Sequence, residues 1–139
     1  MSLKNYNLLE YFMKHVPDVI YFKDKKCRFI LVNQAHANST GLKPEAIIGK
    51  TDFDIFPRER ANRMFKDDLH VLNTGRPIID KIERATRPDG IDNYVSTTKI
   101  PIYGEKGRII GLLGITRDIT RRVQIENVRK ENESISKIS

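Results

Sequence analysis

Two apolar runs, Val19-Ile20-Tyr21-Phe22 and Phe29-Ile30-Leu31-Val32, flank a charged stretch, Asp24-Lys25-Lys26-Cys27, which is the pattern of two strands paired in a hairpin. Ahead of them Leu8, Leu9, Phe12, Met13 and Val16 recur at helical spacing over residues 5–16, and Pro17 ends that segment. This first helix needs an apolar partner, either the sheet of its own domain or a second copy of the chain. After the hairpin, Asn33 can cap a short helical turn, Gln34–Thr40, which Gly41 stops, and residues 44–48 form another stopped by Gly49. The longest helix of the globular part is predicted over residues 57–74, with Pro57 near its start and Gly75 and Pro77 closing it. Its inward stripe reads as Ala61, Phe65, Leu69 and Leu72, with Met64 beside them.

Three more strands are predicted over residues 78–85, 93–103 and 109–116, separated by the turns Arg87-Pro88-Asp89-Gly90 and Gly104-Glu105-Lys106-Gly107. The sum is an α+β chain: a five-stranded antiparallel sheet with its helices inserted between the second and third strands, so that they cover one face and enclose a space against it. The last strand, Ile109-Ile110-Gly111-Leu112-Leu113-Gly114-Ile115, is apolar on both faces, so the outer face of the sheet is expected to be covered as well, by the first helix or by a dimer partner. Beyond Thr120 the residues Ile125, Val128, Asn132 and Ile135 follow the a/d register of a parallel coiled coil, in which Asn132 at an a position lowers stability and favours two strands.

The stretch PDVIYFKDKKCRFILVNQAHANSTGLKPEAIIGKTDFDIFP at residues 17–57 resembles the front half of a PAS sensor domain, and GRIIGLLGITRDIT at residues 107–120 resembles that family's last strand and Asp-x-Thr junction. The resemblance covers about residues 5–120 and implies a PAS fold with flanking helices: residues 1–16 as an N-terminal helix, 17–120 as the PAS domain, and 121–139 as a C-terminal linker helix. It implies a sensory or regulatory module that does not catalyse. Such a module detects a small ligand, or relays a signal by dimer rearrangement to a C-terminal effector, a histidine kinase of a two-component system or a second-messenger cyclase. The partners expected are a second copy of the chain, the effector and possible small-molecule ligands, and the compartment expected is the cytoplasm. Alternation and helical stripe place Ile30, Val32, Ile48, Phe56, Met64, Phe65, Ile82 and Thr97 as the pocket lining. The resemblance to the family's Asp-x-Thr junction implies that Asp118 and Thr120 cap the output helix and pass the signal on, with Arg121 or Arg122 as a local partner for Asp118.

Alternative readings are a constitutive dimerisation module without a ligand and a haem-bound gas sensor. Haem-binding members of the family hold iron through a histidine on the long helix, where Met64 stands here; His70 lies on the same helix about 240° further round the axis. No cofactor is therefore assigned. Cys27-Arg28-Phe29 is similar to the reactive Cys-Arg-Phe of flavin photosensors but falls inside the first hairpin, where many PAS sequences carry Gly, so Cys27 is expected as an exposed turn residue.

Composition narrows the classes further. With 139 residues, 39% of them hydrophobic, the chain suits one domain with one core, and its single cysteine excludes an internal disulfide. The net charge of +7 is dispersed, without a basic stripe interleaved with aromatics, so no nucleic-acid partner is expected. His15, His36 and His70 have no metal-ligand spacing, and phosphate loops and nucleophile elbows are missing from the sequence. Among the acids Asp52, Asp54, Asp67 and Asp68, the first two are expected to bond backbone amides in the GKTDFDIFP turn. An enzyme built on Asp52 and His36 would need convergent groups with shifted pKa values.

Overall fold

The structure is a computed structural model that describes residues 2–86 and 90–138. Its elements are α1 (Leu8–His15), β1 (Val19–Asp24), β2 (Phe29–Val32), α2 (Gln34–Thr40), α3 (Pro44–Ile47), α4 (Asp52–Ile55), α5 (Arg58–Thr74), β3 (Ile78–Thr86), β4 (Asp92–Tyr103), β5 (Ile109–Asp118) and α6 (Thr120–Ile138). Arg87, Pro88 and Asp89 of one expected turn lie outside the described residues. Local chemistry accounts for the boundaries. Asn7 accepts from the Glu10 N–H at the start of α1, Asn33 accepts from the His36 N–H at the start of α2, and Gly41 and Gly75 close α2 and α5 in the left-handed conformation that glycine adopts freely.

All strand pairs are antiparallel, in the order β2-β1-β5-β4-β3, which is the expected five-stranded α+β PAS arrangement. Val19 pairs with Thr116, so the chain enters and leaves the sheet at the same end. Asp18 and Arg117 meet there in a two-pronged ion pair at 3.0 and 3.2 Å. On the face toward the helices, Tyr21, Phe29, Val32 and Leu112 pack with Ile47, Val71 and Leu72 in the core. On the outer face the register aligns Leu31, Phe22, Leu113 and Ile100 into one apolar row across four strands, with Leu31 and Ile100 exposed. The first helix rests against α2 and leaves Leu8, Leu9 and Phe12 exposed.

Gly114 marks the tightest approach in the sheet. It is the cross-strand partner of Tyr21, and a Cβ at this position would run into the Tyr21 ring. Gly114→Ala is expected to push that ring out of the core and cost about 2 kcal/mol. Urea unfolding would measure it; a change within experimental error would show that the ring has room to move.

Two expectations are corrected here. Cys27 is buried, not an exposed turn residue: it adopts φ +61°, the turn conformation that suits glycine, and its side chain joins the core, where burial pushes the thiol pKa up to about 11. The inward stripe of α5 is Ala61, Asp68, Val71 and Leu72, whereas Phe65 sits at the surface with its ring centroid 5.6 Å from that of Phe53. A stripe drawn through apolar residues alone passes over Asp68, and so turns the helix toward Phe65.

Candidate functional site

The space between sheet and helices is held together by charge. Lys23 on β1 reaches Asp52 at 2.5 Å and Asp68 at 2.6 Å, and Lys99 on β4 reaches the other oxygen of Asp68 at 2.5 Å. All four side chains are buried, and two ammonium groups balance two carboxylates. Strand alternation accounts for Lys23, two residues beyond Tyr21 on the inward face, and helical spacing places Asp68 one turn before Leu72. Burial pulls the Lys23 ammonium down, but Asp68 and Asp52 outweigh it and hold its pKa above the ordinary lysine value. The Lys23 Nζ also lies 4.8 Å from the centroid of the Phe29 ring, within range of a cation–π attraction. Asp54 bonds the Thr51 N–H as expected, but Asp52 points inward to Lys23 instead, and its Oδ1 has no hydrogen-bond partner among the described residues. Asp67, adjacent to Asp68, turns outward to Lys81 at 2.6 Å.

Beside this network a cleft of about 90 Å³ opens between α5 and strands β1, β3, β4 and β5. Met64 and Thr97 of the expected lining both face it, together with Tyr21, Val95 and Lys99. Tyr21 is 3% exposed, and its hydroxyl has no hydrogen-bond partner among the described residues. Burial raises its pKa, so the phenol stays protonated and able to donate. Phe56, also expected in the lining, does not line the cleft; Arg60, which does, lies over its ring, 4.3 Å from the centroid. Desolvation lowers the Arg60 pKa from the ordinary arginine value against the opposing field of Asp52.

The remaining expected lining residues lie elsewhere, for identifiable reasons. Val32 belongs to the core. Ile30 is exposed because the β1–β2 register shifts between Phe22 and Lys23: Leu31 pairs with Phe22 and Phe29 with Lys23, which leaves Ile30 as the extra residue. Ile82 is exposed because an irregularity between Ile78 and Lys81, where Asp80 has φ +50°, reverses the alternation and sets Ile82 opposite Ser96. Ile48 is exposed because Ile47 takes the inward position and Ile48 ends α3, and Phe65 faces Phe53. His70 is exposed on α5.

His36 is a residue whose environment the pattern missed. It is buried between the rings of Phe29 and Tyr21, with centroids at 5.1 and 5.9 Å. Its Nδ1 is unpartnered among the described residues, and burial, aided by Lys23 and Arg60, lowers its pKa to about 4. Among the described residues no group of three His, Cys, Asp or Glu side chains is placed to hold a metal, and no helix is long and apolar enough to cross a membrane.

At the exit of the sheet, Asp118 accepts from the Thr120 N–H at 2.9 Å and so caps the turn into α6. Thr120 thus ties to the end of β5 through Asp118 and also to β4: its hydroxyl accepts from the Tyr94 N–H at 2.9 Å, and the Ile119 N–H donates to the Tyr94 carbonyl at 2.9 Å. Asp118 forms no ion pair with Arg121 or Arg122. Tyr94 shares β4 with Val95, Thr97 and Lys99, so one strand runs from the cleft to the root of α6.

Comparison with known proteins agrees with this architecture. The family model described as the PAS fold matches residues 13–124. The chain is 33% identical over 103 residues, 74% of its length, to the methanogenesis regulatory histidine kinase FilI of Methanothrix harundinacea. It is 21% identical over 123 residues, 88% of its length, to a diguanylate cyclase of Vibrio cholerae. It spans 11% of the first protein and 38% of the second. A solved structure of the Vibrio cholerae VqmA dimer superimposes with a TM-score of 0.71 at 28% identity, covering 88% of this chain and 53% of that one.

Proposed function

This chain belongs to the PAS family, and from that premise we propose that it is a non-catalytic sensory module in signal transduction, in which the state of the cleft biases the attachment of α6 to the sheet. The observation that carries this reading is the pair of bonds that holds Ile119 and Thr120 to Tyr94, on the strand that also lines the cleft. A cue moves such a two-state device only as far as its affinities for the two states differ, about 1.4 kcal/mol for each tenfold change in the equilibrium. Residues 17–120 act as the sensor, residues 1–16 as its flanking helix, and residues 121–139 as the linker to a C-terminal effector. The histidine kinase and the diguanylate cyclase that it resembles point to effectors of those two kinds, and VqmA has been solved bound to DPO, a precedent for a ligand in a related protein. The exposed Leu8, Leu9 and Phe12 of α1, the apolar row of the outer sheet face, and the exposed Ile125, Val128 and Ile135 of α6 favour a second copy as their cover. The proposed compartment is the cytoplasm.

Replacing the matching segment of FilI by this chain tests the relay. Asp118→Ala and Thr120→Val are each expected to leave the domain folded, at a cost of about 1 kcal/mol for a lost cap, while uncoupling kinase output from its cue. Hydrogen exchange should show faster exchange at the Tyr94 amide in Thr120→Val. Unchanged regulation in both variants would overturn the relay.

A further inference from the structure

The charged groups at the cleft do not cancel. The α5 side contributes Arg60, Arg63 and Asp67, β3 contributes Glu83 and Arg84, and β4 contributes Lys99. Asp67 is held by Lys81, Arg84 by Asp92 at 3.8 Å, and Lys99 by Asp68. Among the described residues Arg60 and Arg63, both exposed at the mouth of the cleft, form no ion pair, which leaves two guanidinium groups with Glu83 and an excess of one positive charge. Deeper in the same cleft the Tyr21 hydroxyl is buried without a partner, a position that disfavours an empty site because an unmatched buried polar group is costly. Met64 and Val95 supply an apolar wall.

We propose that this cleft binds a short-chain carboxylate of about two to four carbons, its carboxylate paired with Arg60, its body against Met64 and Val95, and the Tyr21 hydroxyl donating to one of its oxygens. Size sets the carbon count: about 90 Å³ is smaller than the roughly 150 Å³ that admits benzene. Charge sets the class. A planar guanidinium pairs with a carboxylate through two parallel hydrogen bonds, while an amine would meet the excess positive charge and a neutral alcohol would leave it uncompensated. Partial desolvation lowers the Arg60 pKa against the opposing fields of Asp52 and Glu83, while its exposure at the mouth leaves the guanidinium within reach of a ligand. The proposal rests on the sensory reading above and gives that reading's cue a chemical class.

The test is an amide chemical-shift titration of the chain with propionate, propan-1-ol and propylamine in turn. Saturable shifts at Tyr21, Thr97 and Thr116 with propionate alone are the expected result, with Arg60→Gln weakening propionate by roughly tenfold or more and leaving the rest of the spectrum in place. Tyr21→Phe, which keeps the ring over Gly114, is expected to weaken it by roughly threefold or more. Equal or stronger shifts at the same amides with propan-1-ol or propylamine would overturn the carboxylate assignment and leave a ligand-sensing cleft standing. An Arg60→Gln variant that binds propionate as well as the parent would overturn it too. Silence of the cleft amides toward all three compounds would overturn the proposal, with the relay then judged separately by the Asp118 and Thr120 variants.

Discussion

Asp68→Ala is expected to destabilise the domain by about 3–5 kcal/mol, a large fraction of the stability of a chain this size. Asp68 is fully buried and its two oxygens each hold a lysine, at 2.6 Å to Lys23 and 2.5 Å to Lys99. Among the described residues its removal leaves Lys23 with Asp52 and Lys99 with the Met64 carbonyl at 3.4 Å, so a buried ammonium loses its counter-charge. Because the penalty comes from the orphaned charge more than from the lost attraction, the double variant Asp68→Ala/Lys99→Met should recover much of the loss. Urea unfolding at neutral pH measures all three proteins. A single-variant cost below about 1 kcal/mol, or a double variant no better than the single, would contradict a charge-balanced interior.

Acid should weaken the fold through His36 well before the carboxylates titrate in bulk. Its pKa is lowered from 6.5 to about 4 by burial, so between those values the unfolded chain takes up a proton that the folded chain refuses. Stability therefore falls as pH drops through that window and is independent of this group above it, with a linked loss of roughly 2–3 kcal/mol by pH 4. His36→Leu should flatten that part of the stability profile. A His36 ring resonance with a midpoint near 6.5, or an unchanged slope in the variant, would show that the imidazole reaches water in the folded state.

These two sites also show what a linear reading reaches. The five strands, their order and the helices other than α4, which falls in the stretch read as a turn, follow from local periodicity, and the cap at Asn33 forms where the sequence places it. The candidate lining was legible only in part: Met64 and Thr97 face the cleft, while Ile30 and Ile82 fall on the wrong side of two register shifts. A bulge is one extra residue without a distinctive composition, and each one reverses every face assignment beyond it. The junction at Asp118 and Thr120 was legible as a cap, but the strand that it grips was not, because Tyr94 is 26 residues away.

What the sequence determined by itself is what depends on neighbours within a few positions: the strands and most of the helices, the antiparallel α+β order and the PAS resemblance carried by residues 17–57 and 107–120. What only the tertiary structure decided is which charges are buried. Lys23 and its carboxylates stand 29 and 45 residues apart, and Lys99 stands 31 from Asp68. In its own segment Asp52 reads as a turn residue bonding backbone amides, and the segments of Lys23, Asp68 and Lys99 carry no sign of a shared partner. Only chain folding brings the charges close enough for attraction to offset the cost of leaving water, and so sets a balanced ionic cluster, in place of an apolar pocket, at the centre of the domain.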